Sequence, residues 1–295
     1  MRHRKPCPLV LLLATTLMAC SPTVEEDPAT ADTDSDTESD TDTDADSDSD
    51  NDDDTDADVV FPEPVVYYAF DDCTAGVVEQ QGTGLDAELV GDARCTDAQS
   101  LGSALGGTWS TGTALRCDGD GDLARVPHDT RLSPSTLTLA AWVRVEDGAE
   151  CGAPCTIIGK ANTDDRSNGY WFSVENGLFL SLANEAQESE LRVDAAVVPG
   201  TWHHVVGTFD GTLAAVYLDG SQVGTLEVPY AIGYATNDPF QIGSIPNRSY
   251  DFPGLIDEVK LWDVALDATE VKALVGQSAA AADGMGTACT RVLDR

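Results

Sequence analysis

Three groups of residues in this 295-residue sequence have types and spacings that suit chemistry. The first is a histidine pair, His203 and His204, directly after Trp202. Imidazoles serve as general bases and metal ligands, but neighbours on a strand point to opposite faces and cannot hold one ion together. One is expected to pack in the core and the other to meet solvent, and no Ser or Cys nucleophile motif stands beside them. The second group is acidic. In Asp118-Gly119-Asp120-Gly121-Asp122 carboxylates alternate with glycines, as in a calcium loop. Glu146-Asp147-Gly148-Ala149-Glu150 and Glu185-Ala186-Gln187-Glu188-Ser189-Glu190 are denser runs, read as solvated charge in loops. The third group is aromatic. Trp109, Tyr170, Trp171, Tyr234 and Tyr250 lie in or beside Gly-, Asn- and Ser-rich segments, where exposed rings stack on sugars; the competing reading of each is a core side chain.

Eight cysteines fall at positions 7, 20, 73, 95, 117, 151, 155 and 289. Residues 7 and 20 belong to the leader discussed below, and six remain for the folded part. An even set in an exported chain reads as three disulfides, and no spacing here suits zinc. Cys151-Gly152-Ala153-Pro154-Cys155 places two cysteines around a Gly/Pro turn, close enough to bridge. The pairing among Cys73, Cys95, Cys117 and Cys289 stays open.

The positioning elements begin with a leader. Arg2, His3, Arg4 and Lys5 precede an apolar run from Leu9 to Met18, too short to span a bilayer but suited to export. Leu17-Met18-Ala19-Cys20 resembles the lipobox of bacterial lipoproteins. That resemblance implies a signal peptide over residues 1–19, lipidation of Cys20, and an exported, membrane-anchored protein of the outer membrane or cell surface. Membrane contact then runs through the lipid anchor alone. Residues 21–58 hold 18 acids and no Lys or Arg, so 20–60 reads as a lipid-anchored cysteine with a disordered Asp/Ser/Thr-rich linker. Residues 59–295 carry 34 acids against 13 bases, a net of −21. Such a surface repels phosphate backbones, which excludes nucleic acid as a partner.

From residue 61 the texture changes to short β-branched and aromatic runs separated by Gly, Asp, Asn and Pro. Strands are expected near Val65–Phe70, Ala114–Cys117, Leu123–Val126, Leu137–Val145, Thr156–Lys160, Tyr170–Val174, Leu178–Leu182, Trp202–Phe209, Leu213–Leu218, Gln222–Val228, Phe240–Ile242 and Leu255–Trp262. In the fourth, Leu137, Leu139, Ala141, Val143 and Val145 share one face. Asp210-Gly211 and Asp219-Gly220 are hairpin signals. One helix is expected from Asp267 to about Leu274, with Asp267 and Glu270 as a capping box and Leu266 on Val271 as a staple. Twelve strands and no strand–helix alternation give an all-β, antiparallel two-sheet sandwich over residues 61–276, one short C-terminal helix, and a 277–295 tail tied by Cys289.

Four stretches carry a further resemblance: Ala114-Leu115-Arg116-Cys117-Asp118-Gly119, the Leu137–Val145 strand, Trp202-His203-His204-Val205-Val206-Gly207-Thr208-Phe209-Asp210-Gly211, and Gly254-Leu255-Ile256-Asp257-Glu258-Val259-Lys260-Leu261-Trp262. In order and spacing they resemble the laminin-G-like jelly rolls of the concanavalin A-like lectin/glucanase superfamily. The resemblance implies two sheets packed face to face. The superfamily's glucanases use a Glu-x-Asp-x-x-Glu strand, which this sequence lacks, so a catalytic role is not expected. Many members bind one calcium through acids after the first strand and in the last; Asp71 and Asp257 match those places, while Glu79-Gln80-Gln81-Gly82-Thr83-Gly84 stands where a ligand-bearing turn is usual. Asp118–Asp122 falls where the family has a plain hairpin turn. The function implied is a surface-displayed module binding a glycan or a surface protein. The alternatives are a structural envelope lipoprotein and a divergent glycoside hydrolase.

Overall fold

A computed structural model of the chain describes residues 59–282, apart from 72, 74–75, 79–82, 98–111, 152, 162–166, 236 and 246–249. Its sixteen strands form two eight-stranded antiparallel sheets. The first runs β14 (Ser221–Glu227), β13 (Leu213–Leu218), β12 (His203–Phe209), β7 (Leu137–Val145), β16 (Pro253–Trp262), β5 (Thr113–Asp118) and β4 (Arg94–Asp97), with β1 (Val66–Tyr68) also paired to β16. The second runs β11 (Gln187–Val193), β10 (Leu178–Asn184), β9 (Gly169–Val174), β8 (Cys155–Ala161), β15 (Phe240–Ile242), β6 (Leu123–Val126), β3 (Ala87–Val90) and β2 (Val77–Val78). All twelve expected strands are present to within two residues at either end.

Alternation explains the core. Leu137, Leu139, Ala141, Val143 and Val145 of β7 join Ile158, Phe172, Leu180 and Ile242 of the second sheet in one buried cluster. Burial at ~25 cal/mol per Å² makes this sandwich interior the main source of stability. Asp219 and Gly220, at φ 51° and 78°, form the tight turn between β13 and β14. At the β12–β13 turn the Asp210 carboxylate accepts N–H bonds from Leu213 (2.7 Å) and Thr212 (2.8 Å), which hold its pKa down.

Helix α1 (Ala268–Ala282) starts as expected. Asp267 accepts from the Glu270 amide at 2.9 Å, and Glu270 accepts from the Asp267 amide at 2.7 Å. Leu266 and Val271 share one apolar cluster. The helix continues about two turns past Leu274. Its last four residues, 279–282, are all alanine, the strongest helix former, so the expected domain edge at 276 lies inside the helix.

Several expectations are corrected. The second acidic run is no loop: β11 begins at Gln187, pairs with β10 along its whole length, and carries Glu188 and Glu190 as a polar edge strand. Asp118–Asp122 is no hairpin turn, because β5 and β6 belong to different sheets and the segment crosses between them. The two histidines are both buried, His203 at 3% and His204 at 4% exposure, because the face opposite the core is itself covered. Cysteines join Cys151 to Cys155, as expected, and Cys73 to Cys95. Cys117 is a buried free thiol, turned into the core with Leu115, and burial pushes its pKa up. Cys289 lies outside the described residues.

Candidate functional site

The outer faces of the two sheets differ in what covers them. On the first, Ala140, Val206, Tyr217 and Trp262 pack under Leu266, Val271 and Leu274, while Trp142 and Trp202 join Val275. Trp262 Nε1 donates to the Pro62 carbonyl at 2.8 Å, and Thr138 Oγ1 donates to the Val264 carbonyl. His204 lies on this sealed face, 5.2 Å from the Trp142 ring, with Nδ1 unpaired; burial, aided by the Lys260 charge, pushes its pKa down to about 3. His203 faces the other way. It accepts the Val198 N–H on Nε2 at 3.0 Å, so Nδ1 carries the proton and donates to Asp219 at 2.8 Å. Both histidines are structural.

On the second sheet, the residues that alternate with the core face outward. Register aligns Glu190, Ser181, Trp171, Gly159, Gln241, Arg125 and Glu88 in one row across seven strands. Directly opposed residues have Cβ atoms about 5 Å apart, so these are adjoining outward positions, of which Ser181, Trp171, Gly159 and Gln241 are covered. Trp171, Phe179, Ala161 and Ile245 form their own buried cluster there, with Tyr250 packed against it. Phe179 meets the Trp171 ring edge-on at 5.2 Å, and Tyr250 lies over Trp171 at 5.0 Å and 31°. Trp171 Nε1 donates to Thr156 Oγ1 at 3.1 Å. The absence of a side chain at Gly159 admits Ile245, whose Cδ1 would lie 2.9 Å from a Cβ.

The two flanks of this cluster are unlike. Toward β11, charge is satisfied: Arg192 sits 4.1 Å above the Phe179 ring and pairs with Glu175 and Glu190, and Ser181 donates to Glu188 at 2.9 Å. Toward β6, Gln241 is buried and Arg125 is half-buried, with its Nε enclosed and bonded to nothing among the described residues. Trp171 and Gln241 are each sealed at 1% exposure, so what this face offers is the half-buried Tyr250 ring and Arg125 guanidinium, groups that can stack on a sugar ring and donate to its hydroxyls.

Of the sequence-selected aromatics, the structure brings only Trp171 and Tyr250 together on this face. Tyr170 is in the core and donates to the Leu132 carbonyl at 3.1 Å; Tyr234 meets it edge-on and donates to the Pro134 carbonyl at 2.8 Å. Trp109 lies outside the described residues. Sequence reasoning misses Arg125 and Gln241, although Leu123-Ala124-Arg125-Val126 and Phe240-Gln241-Ile242 each set a polar residue between inward apolar ones.

Asp71 and Asp257, the acids expected at a calcium site, both lie near enough to Tyr67 to add to burial in raising the pKa of its hydroxyl. Asp71 is exposed after β1, its carboxyl raised by desolvation against the opposing Thr113 amide. Asp257 is buried at a β16 bulge, where Oδ1 accepts the Glu258 amide at 2.8 Å. The neighbouring carboxylate of Glu258 is held by Tyr67 at 2.6 Å and Lys260 at 2.9 Å. Calcium takes six to eight oxygens, and residues 79–82 of the turn where a further ligand is usual lie outside the described residues. Asp92, Asp118 and Asp122 do converge, with oxygens within 4.8 Å. Yet Asp122 accepts the Asp92 and Asp118 amides at 2.8 and 3.2 Å, and Asp118 accepts the Asp120 amide at 2.9 Å. These carboxylates brace the crossover between the sheets.

Residues 118–272, just over half the chain, match the family model of the concanavalin A-like lectin/glucanases superfamily. Over 175 residues the chain is 28% identical to pappalysin-1 of Mus musculus and 26% to that of Homo sapiens; the match covers 54% of this chain but only 11% of either relative. Among solved structures, the binding domain of Paraclostridial Mosquitocidal Protein 1 aligns with TM-score 0.58 at 13% identity, over 72% of this chain and 52% of that one. Domain 4 of an extracellular arabinanase from Geobacillus stearothermophilus, in complex with arabinotriose, aligns with TM-score 0.56 at 18% identity, over 72% and 98%. At such identities these likenesses concern the fold. With two antiparallel sheets and a family match across most of their strands, the chain belongs to the concanavalin A-like lectin/glucanase superfamily.

Proposed function

We propose that this protein is a surface-displayed, non-catalytic binding module whose ligand is a glycan held on the outer face of the second sheet. The observation that carries this reading is the half-open flank of that face, where the half-buried Tyr250 packs on Trp171 and the half-buried Arg125 stands in the row of Trp171. The arabinotriose complex of the arabinanase domain supports a saccharide as the ligand class for this architecture. The Leu17-Met18-Ala19-Cys20 sequence supports removal of residues 1–19 and a lipid anchor on Cys20, with the acidic linker holding the sandwich away from the membrane. Against hydrolysis stands the commitment of two outward acids: Glu190 pairs with Arg192 and Glu188 with Ser181, which leaves Glu88 as the acid beside Arg125 where a glycosidase needs a pair.

The test is a glycan array probed with the full chain, repeated with Tyr250→Ala and Arg125→Gln. The reading expects a saccharide hit that both variants weaken at least tenfold, about 1.4 kcal/mol. No hit, or a hit that both variants retain, overturns it. Replacing Cys20 with Ser tests the anchor separately: the variant should leave the membrane fraction.

A further inference from the structure

At the end of the sandwich where β7 and β9 stop, a cleft of about 480 Å³ opens between the two sheets. That volume lies in the range of ligand sites, roughly 300–1,000 Å³. Its floor is apolar and shared by both sheets: Val145 from β7 and Val174 from β9, each part of the main core, with Pro199 beside them. Its rim carries Glu150, Asp194 and Asn176. The next acids along the chain are neutralised, Glu146 by Arg116 and Asp147 by Arg144. Glu150 and Asp194 have no basic partner among the described residues, and the Asn176 side-chain amide bonds to none of them.

The frame of the cleft is set without a ligand. The Cys151–Cys155 bridge fixes one wall, with Cα atoms 5.6 Å apart. Asn176, in the left-handed region at φ 50°, donates its backbone N–H to the Cys151 carbonyl at 2.9 Å, and Gly200 donates to the Val145 carbonyl at 2.8 Å. Each loop around the opening is thus tied to a strand end or to its neighbour. Preorganisation of this kind removes the ordering cost from binding.

An apolar floor below two unpaired carboxylates and an amide matches an alkyl stem that ends in a positive charge. We propose that the cleft receives a lysine or arginine side chain of a partner polypeptide. The net charge of −21 on residues 59–295 steers a basic partner toward the domain, and the rim then selects the side chain. A divalent ion would leave the apolar floor unfilled, and a neutral sugar would leave the two exposed rim carboxylates without a counter-charge. The cleft is at the end of the sandwich and not on the outer face, so it stands apart from the glycan reading.

The probe is the blocked tripeptide Ac-Gly-Lys-Gly-NH2, titrated into the detergent-solubilised full chain at ~0.15 M salt, where long-range attraction is screened. Methyl NMR signals of Val145 and Val174 are expected to shift and saturate. The norleucine analogue, with nearly the same stem and no charge, should bind at least tenfold more weakly. The double variant Glu150→Gln/Asp194→Asn should lose about tenfold for the lysine peptide and nothing for the norleucine one. Ala149→Trp, which fills the cleft from its lining, should abolish both. Unmoved valine methyls, shifts confined to the acidic residues 21–58, or equal binding of the two peptides each overturn the proposal.

Discussion

Trp142, Trp262 and Tyr217 on the outside of the first sheet lie under helix α1; Trp171 and Phe179 on the outside of the second lie under Ile245, Tyr250 and an ion-pair network. Both faces carry aromatic side chains in place of the polar ones an antiparallel sheet usually turns to water. The first face uses them for packing. Trp262 Nε1 finds its partner within the fold, at Pro62, and where a polar atom is left over, as at His204 Nδ1, it is shut away. The second face leaves both Tyr250 and Arg125 partly open, and although Arg125 Nε is enclosed it has no partner among the described residues. A native fold tolerates such a group where function requires it. Stability and recognition are thus separated onto opposite surfaces of one sandwich, and substitutions should respect that division.

The largest effect is expected at the covered face. Trp262→Ala removes the ring on which the helix rests and leaves the Pro62 carbonyl without its donor, so denaturant unfolding should register a loss of about 3–5 kcal/mol. Glycan affinity should not change. If it falls in step with stability, the two faces are coupled and the division fails.

The same face should make the protein acid-sensitive. His204 has its pKa pushed down to about 3 from the ordinary 6.5, so between those values the unfolded chain binds a proton that the native state refuses. Stability therefore falls as pH drops through that window, by on the order of 5 kcal/mol over its full span. Asp129, held near 2 by Arg131, adds a loss in the same direction, but only below about pH 4. Asp71 and Asp122, raised by burial, act in the opposite sense at acid pH. Melting curves from pH 7 to 4 should flatten in His204→Phe. A slope equal to that of the parent would place the acid sensitivity elsewhere.

The disulfides come next, and neither belongs to the two aromatic faces. On the chain-entropy estimate the 22-residue separation of Cys73 and Cys95 is worth roughly 3 kcal/mol and the four-residue separation of Cys151 and Cys155 roughly 2. Paired Cys→Ala variants should keep that order in chemical denaturation. The short bridge should instead matter to the cleft it walls, through lysine-peptide affinity.

How far the sequence foretells this arrangement follows from how each strand is buried. Leu137–Val145 is legible because one of its faces alternates cleanly into the core, and the hairpin at Asp219-Gly220 because left-handed turns demand those residues. Four strands stay hidden: three polar or very short edges, Arg94–Asp97, Gln187–Val193 and the two residues Val77–Val78, and Ala87–Val90, which lies just inside the last of them. Edge strands carry charge against aggregation, and this dilutes the apolar period. The burial of His204 escapes because its environment is made by a helix more than sixty positions away, and no local pattern reports that docking. Composition picks out Tyr250 and Trp171 but passes over Arg125 and Gln241, since one polar residue within a three- or four-residue strand is ordinary until register lines it up with a ring.

The smallest stability effect should come from Arg125 itself, and it sharpens the comparison most. At a half-buried site whose Nε has no partner among the described residues, the guanidinium bears a desolvation cost without return in the free protein. Arg125→Gln keeps a polar end of similar reach and removes the charge, so unfolding free energy should stay within about 0.5 kcal/mol of the parent or rise slightly. Glycan binding should drop at least tenfold. Trp262→Ala is expected to do the reverse, unfolding readily while leaving ligand affinity intact. Measuring both quantities on both variants yields four outcomes, and the division between the faces requires the crossed pattern. An Arg125→Gln protein that is markedly destabilised would mean that the side chain anchors the second sheet, and the outer row would then be scaffold, like its counterpart beneath the helix.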